Sequence, residues 1–271
     1  ELPVEENSEV KQIVNKDGVF SVETEEWTIS SKHVIWAAGE FLYPQLGGFP
    51  GSHLCRHTAT LANYADLEGD DFLIIGGYES GVDAAYHLAK RGKRVKIFDK
   101  EDPWGEDSSD PSTSLSTFTY ERMREGSFEE NVELFSEKPV VSIEIVDDTY
   151  ELKTEGGQVF KSNTQPLLAS GFIGSQTLVS HLFEEREDGF PLLNEHDEST
   201  KVPGLYLCGP SVRHDNHDFC FIFKFRQRFA VVARSIASSL DISTDEFVEA
   251  YRNWGMLLDD LSCCGQECLS C

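Results

Sequence analysis

The chain has 271 residues, 39% of them hydrophobic, which is enough for about two domains with separate cores. Its 48 acidic residues against 23 basic ones leave a net charge of −25, which repels nucleic acid and anionic membrane surfaces and argues against either as a partner. No apolar run approaches the roughly 20 residues of a membrane-spanning helix, and no signal peptide follows Glu1. The seven Cys, four of them in the last nine residues, lack the even spacing of a secreted disulfide scaffold. The expectation is a soluble protein of a reducing cytoplasm, acting on a small molecule and open to homodimer formation.

Val10–Val14, Val19–Thr24 and Trp27–Ser30 read as strands separated by turn residues at Asp17-Gly18 and Glu25-Glu26, a three-stranded meander. It leads into an apolar strand ending on small residues, His33-Val34-Ile35-Trp36-Ala37-Ala38-Gly39. Next, Phe72-Leu73-Ile74-Ile75 suits a parallel strand buried on both faces, and Gly76-Gly77-Tyr78-Glu79-Ser80-Gly81 follows at once. From Ser80 to Arg91 good helix formers place Val82, Ala85 and Ala89 on one stripe, with Gly92 as the stop. Arg94–Phe98 is a second strand and carries Asp99 at its end, so residues 72 to 99 form the start of a βαβ unit.

Asn131–Phe135 is a further strand. A second meander follows in Val140–Val146, Thr149–Thr154 and Gln158–Lys161, with turns at Asp147-Asp148 and Gly156-Gly157. The strand Pro166–Ala169 then ends in Ser170-Gly171-Phe172, repeating the meander, strand and small-residue turn of the first 39 residues. Two copies predict two related domains, and the first copy's own βαβ start is expected upstream of Glu1. Gly204–Cys208 reaches Gly209 as another strand. Asp218–Leu240 reads as one long helix with Phe221, Phe225, Phe229, Val232 and Ile236 packed into the core. Residues 241–271 read as an acidic, then Cys-rich tail containing an amphipathic segment, Phe247–Leu261.

The glycine turn between strand and helix carries chemistry. Glycines there allow a tight turn and let backbone N–H groups face a pyrophosphate at the helix N-terminus. Read as G-x-G-x-x-G, Gly76 and Gly81 fill the first and third places and Tyr78 the second. Asp99 can accept hydrogen bonds from the adenosine ribose and repel a 2′-phosphate, which favours NADH, whereas Lys93, Arg94 and Lys100 could serve that phosphate.

These motifs resemble the flavoprotein pyridine-nucleotide oxidoreductases, which include thioredoxin reductases, flavin-dependent monooxygenases and bacillithiol-disulfide-reductase-like proteins. The resemblance covers residues 9 to 240. It rests on Ala37-Ala38-Gly39 with Tyr43-Pro44, the Gly76–Gly81 turn, Ala169-Ser170-Gly171-Phe172, and Val202-Pro203-Gly204-Leu205-Tyr206-Leu207-Cys208-Gly209. It implies an α/β fold of two Rossmann-like dinucleotide-binding domains with three-stranded meander insertions, the NAD(P) domain inserted in the FAD domain. The expected boundaries are 1–68 and 168–240 for FAD, 69–167 for NAD(P), and 241–271 for the tail. The implied cofactors are FAD and NAD(P)H. Cofactor contacts are expected at Ala38, Gly39, Gly76, Gly77, Tyr78, Glu79, Ser80, Gly81, Asp99, Ser170, Gly171, Gly209 and Pro210. Pro210 stands where many relatives carry an Asp for the ribityl chain, and Tyr78 stands in place of a glycine.

Residues 71 to 165 hold no Cys, so a dithiol within the nicotinamide domain is excluded and the balance tips toward a monooxygenase-like electron acceptor. A low-molecular-weight disulfide as acceptor, and a non-catalytic NAD(P)-sensing module, remain the alternatives. His214-Asp215-Asn216-His217-Asp218 offers His214 and His217 either as flavin-side donors or as metal ligands. Cys263, Cys264, Cys268 and Cys271, spaced C-C-x-x-x-C-x-x-C, suit zinc or an iron–sulfur cluster, a redox-active tail, or an unordered end.

Overall fold

A computed structural model describes residues 3–105, 114–215 and 217–262. The chain divides into two compact units, Glu1–Glu40 with Gly174–Cys271, and Phe41–Ile173.

The first unit begins with the expected meander, β1 (Gln12–Lys16), β2 (Val19–Glu23) and β3 (Thr28–Ser31), paired antiparallel in chain order. Its first hairpin closes at Asp17 (φ 51°) and Gly18 (φ 80°), and positive φ at both central residues gives the turn whose twist matches the strands. Strand β4 (Val34–Trp36) follows.

The inserted unit is built on a five-stranded parallel sheet. Its strands are β5 (Arg56–His57), β6 (Asp71–Ile75), β7 (Arg94–Phe98), β8 (Val132–Phe135) and β12 (Leu167–Leu168), in the order β5-β12-β6-β7-β8. Helix α1 (Glu79–Ala89) crosses from β6 to β7, and the short helices α2 (Thr117–Met123) and α3 (Gly126–Asn131) precede β8. The second meander is β9 (Val140–Val146), β10 (Thr149–Thr154) and β11 (Val159–Ser162). Its first turn, Asp147 (φ 48°) and Asp148 (φ 61°), repeats the geometry of the first hairpin.

Alternation along the strands explains why this sheet reads as continuously apolar. Phe72, Ile74, Val95, Ile97 and Leu167 pack against Val82, Ala85 and Leu88 of α1. Leu73, Ile75, Phe98 and Leu168 face the meander's Ile143 and Leu152 on the other side. The insert is wider than the 69–167 expected from sequence. Two-residue β5, too short to leave a periodic signal, pairs in parallel with β12 and draws residues from 41 onward into this unit.

The chain then returns to the first unit through the hairpin β13 (Glu184–Glu185) and β14 (Pro191–Leu192), then β15 (Leu205–Leu207), which pairs in parallel with β4. A tight hairpin, β16 (Arg213–His214) with β17 (His217–Asp218), precedes the helices. The long helix expected over Asp218–Leu240 is not formed as one piece. Instead α4 (Ile222–Phe225), a 3₁₀ turn at Arg226–Arg228 and α5 (Phe229–Ser239) succeed one another. The expected core stripe holds in part: Val232 is buried and Phe225 packs against the core, but Phe229 is 45% exposed, and Arg228, Ala230 and Val231 are buried beside Val232. A buried arginine turns the face that periodicity assigned to the phenylalanines.

Within the expected tail, helix α6 (Asp245–Asn253) ends before Trp254, and Phe247 and Trp254 are exposed while Leu258 and Leu261 join the unit's core. The amphipathic segment is therefore a helix only over its first half. Cys263, Cys264, Cys268 and Cys271 lie outside the described residues.

Candidate functional site: the glycine turn and the ends of the parallel strands

In the inserted sheet, chain order proceeds outward from β6 to β7 and β8 on one side and returns through β12 on the other. The point between β6 and β12 is thus where strand order reverses, and ligands of open α/β sheets bind in the crevice there, beyond the carboxyl ends of the strands. The glycine turn leaves β6 at this point. A Cβ on Gly81 would lie 1.9 Å from the carbonyl oxygen of Gly76, and one on Gly76 (φ 99°) would lie 2.3 Å from that of Ala169. The first and third glycines are therefore dictated by the packing of strand, turn and helix. Tyr78 sits at the N-cap of α1 and sends its hydroxyl to Ser114 O, 2.7 Å away, so the turn keeps its course without a glycine there.

Asp99 follows β7 beside the turn. Its Oδ2 accepts the Gly77 N–H at 2.6 Å and its Oδ1 the Glu101 N–H at 2.9 Å, which fixes the carboxylate in place. Each oxygen has a second lone pair for a sugar hydroxyl. Glu79 accepts from the Ser116 N–H at 2.5 Å and from the Thr119 hydroxyl, tying α1 to the start of α2.

Ala169-Ser170-Gly171 lies on the opposite side of the switch point. Ser170 Oγ donates to Gln45 O at 2.5 Å, and Gly171 O accepts the Gln45 N–H at 2.9 Å. Sequence reasoning missed the residue that braces this turn. His57, on two-residue β5 and 4% exposed, has Nε2 3.0 Å from Gly171 O, while its Nδ1 accepts the Ala59 N–H at 3.1 Å. Nδ1 is thus unprotonated and Nε2 carries the proton, the neutral tautomer, and burial lowers the His57 pKa below its ordinary 6.5. Because the unfolded chain binds this proton more readily, the stabilisation is complete above about pH 6.5 and is lost as pH falls toward the lower folded pKa. Thermal melts from pH 8 to pH 5 should show wild type losing more stability on acidification than His57→Gln; parallel profiles would refute the assignment.

In the first unit, the turns Ala37–Gly39 and Cys208–Pro210 stand at the carboxyl ends of the paired strands β4 and β15, joined by Cys208 N–H to Trp36 O at 2.9 Å. Ala38 is exposed and Gly39 (φ 67°) half-buried, so this edge is open to a ligand. Around it Trp36 Nε1 donates to Ser175 Oγ at 3.1 Å, and Ser211 Oγ donates to Gln176 Oε1 at 2.8 Å. Arg213 donates to Pro210 O at 2.6 Å and pairs with Asp218 at 2.8 Å. Burial raises the Glu40 carboxyl above its usual range, opposed by the charge of Arg213. Glu40, Gln176 and Arg213 were not legible in advance because their roles come from contacts remote in sequence.

His214 is 9% exposed, and its Nε2 is 2.5 Å from Oδ1 of fully buried Asp197. Arg228, 1% exposed, grips the same carboxylate through Nε (3.0 Å to Oδ2) and Nη2 (2.8 Å to Oδ1). Its remaining donors reach Leu258 O (2.5 Å) and Glu195 O (2.6 Å). The structure thus places His214 in a buried network with Asp197 and Arg228. His217 lies beside it on the hairpin, and Asn216 is outside the described residues. Among the described residues no group of three or more His, Cys, Asp or Glu side chains could hold a metal ion, which removes the metal reading of His214 to Asp218 for those residues. No described helix is long and apolar enough to cross a membrane.

Known proteins share this fold. The chain is 25% identical over 233 residues to bacilliredoxin reductase Bdr of Bacillus subtilis (strain 168), spanning 82% of this chain and 67% of that protein. Bacillithiol disulfide reductase Bdr from Staphylococcus aureus superposes with a TM-score of 0.68 at 19% identity, covering 86% of this chain and 70% of that one. Thioredoxin reductase from T. acidophilum gives 0.65 at 20% identity over 85% and 73% of the two chains. Residues 1–209 match the family described as pyridine nucleotide-disulphide oxidoreductase. The strand-turn-helix at the switch point and this match together establish that the chain belongs to that family of FAD- and NAD(P)H-dependent oxidoreductases.

Proposed function

We propose that the chain reduces a low-molecular-weight disulfide at the expense of NADH, with FAD as the intermediate carrier. The observation that carries this reading is the glycine turn at the switch point with Asp99 fixed beside it, which supports an adenine dinucleotide as the ligand, and the Asp99 charge favours one without a 2′-phosphate. The two turns at the ends of β4 and β15 leave the open glycine edge that a flavin nucleotide requires, and they are the residues that would hold it. Bound flavin supplies two-electron exchange between a hydride donor and an acceptor. The balance is one NADH, one proton and one disulfide giving NAD⁺ and two thiols.

The sequence alone tipped the choice toward a monooxygenase-like acceptor because the insert has no dithiol. Similarity to proteins named as bacilliredoxin, bacillithiol disulfide and thioredoxin reductases weighs the other way. A small disulfide also needs no thiol relay inside the insert. Burial pushes the thiols of Cys55 and Cys208 up to about 12, so both stay protonated and unreactive at neutral pH. Anaerobic turnover of NADH with a panel of small disulfides is the test. Stoichiometric thiol release without oxygen is expected, and NADH consumption that starts only on admitting oxygen would overturn the proposal.

The nucleotide preference has its own test. Asp99→Asn keeps one acceptor oxygen but removes the charge that repels a 2′-phosphate, so the ratio of kcat/KM for NADH over NADPH should fall by about ten-fold. A wild-type preference for NADPH would refute the role given to Asp99.

A further inference from the structure

The connection leaving β7 returns to the glycine turn at three consecutive residues. Trp104 donates its indole N–H to Gly77 O at 2.9 Å, Ser114 O receives the Tyr78 hydroxyl at 2.7 Å, and the Ser116 N–H binds Glu79 at 2.5 Å. Trp104, Ser114 and Ser116 thus each bind the turn directly. Within the turn Gly77 has a different reason for being glycine from its neighbours. A Cβ at Gly77 would lie 2.3 Å from Cζ2 of Trp104 and 3.1 Å from Cβ of Asp99, whereas Gly76 and Gly81 are constrained by backbone carbonyls. The missing side chain at 77 makes room for the indole, and the indole is held next to the carboxylate.

That juxtaposition has a chemical meaning. If Asp99 accepts the ribose hydroxyls of an adenine dinucleotide, the adenine hangs from the adjoining carbon of the same sugar and must lie within a few ångströms of Asp99. Trp104 is half-buried against the core cluster of the insert and keeps part of its surface exposed. Its N–H bond to Gly77 holds the ring before any ligand arrives, so little side-chain freedom remains to be lost on binding.

We propose that Trp104 is a positioning residue that sets the affinity of the nucleotide site for the adenosine half, an aromatic platform on which the adenine stacks while Asp99 takes the adjoining ribose. This rests on the reading of the glycine turn as a nicotinamide-dinucleotide site. Stacking on an indole needs no hydrogen-bond code from the base, so Trp104 governs affinity for the adenosine half and leaves the nicotinamide half untouched.

Isothermal titration of the full chain with NADH, ADP-ribose and nicotinamide mononucleotide tests it, using wild type, Trp104→Phe and Trp104→Leu, with a thermal melt of each. Both variants lose the indole N–H bond to Gly77 O, so their difference isolates stacking: Trp104→Phe, which keeps an aromatic face, should retain most of the affinity for ADP-ribose, while Trp104→Leu, which cannot stack, should bind ADP-ribose and NADH about ten-fold more weakly than wild type. Nicotinamide mononucleotide, which has no adenine, should bind all three proteins alike. Unchanged or tighter binding of ADP-ribose by Trp104→Leu would overturn the platform, the latter by showing that the indole covers the site. Equal weakening of both half-ligands would also overturn it, because Trp104 would then act only on the shape of the turn. A wild-type protein that binds neither NADH nor ADP-ribose would instead sink the dinucleotide reading beneath the proposal.

Discussion

Gly81→Ala is expected to destabilise the protein by about 2 kcal/mol or more and to weaken NADH binding by over ten-fold. The sign is what makes this informative. In the interior of an ordinary helix the same change gains about 1 kcal/mol, because alanine loses less backbone freedom on folding. Here the added methyl would lie 1.9 Å from Gly76 O, closer than any van der Waals contact allows, so helix and turn must separate. The N-terminus of α1 moves away from the end of β6, and any pyrophosphate held there loses its donors. Gly126→Ala is the control, since a Cβ at Gly126 would meet nothing within 4 Å. A fall in Tm of about 5 °C or more for Gly81→Ala, with none for Gly126→Ala, is the expected pattern. Equal melting and equal NADH affinity for Gly81→Ala and wild type would remove the steric argument for the turn.

The second large effect is expected at Arg228. Replacing it with alanine leaves Asp197 as a fully buried carboxylate with, among the described residues, only His214 hydrogen-bonded to it, and also removes the donor to the carbonyls of Leu258 and Glu195. Breaking such a buried pair from one side typically costs about 3–5 kcal/mol. Arg228→Lys should recover only part of the loss, because an ammonium cannot reproduce the planar fork that meets both carboxylate oxygens and two carbonyls. Denaturant unfolding of the two variants beside wild type would measure this, and a loss below about 1 kcal/mol for Arg228→Ala would show that the network contributes little.

Local patterns carried the short-range elements of both units. The apolar run Phe72–Ile75, the helix stripe Val82-Ala85-Ala89 and the paired turns at Asp17-Gly18 and Asp147-Asp148 are each complete within a few residues, and the structure forms each of them. What was illegible depends on partners far apart in sequence. His57 gains its role from Gly171, Trp104 from Gly77, and Arg228 from Asp197, none of which periodicity can pair. The misread helix over Asp218–Leu240 shows the same limit. Phenylalanines at helical spacing normally mark a buried face, but a buried ion pair at Arg228 decides which side of the chain turns inward.

The two ends of the insert lie side by side within it. Gln45 N–H binds Gly171 O and Ile173 N–H binds Tyr43 O, both at 2.9 Å, around a bridge between Pro44 and Phe172. This clasp has a kinetic consequence. For β4 to find β15, the host must close a loop spanning the entire insert, and the entropy lost in closing a loop grows with its length. An insert that has already folded delivers its two ends side by side, so that only residues 37–40 and 174–204 are left to span the closure. Assembly should therefore run from the inside outward, the nucleotide-binding sheet first and its host second. Pulse-labelled hydrogen exchange during refolding would reveal the order, with amides of β6 and β7 protected before those of β4 and β15. Simultaneous protection of both pairs, or the reverse order, would show that the clasp does not govern assembly.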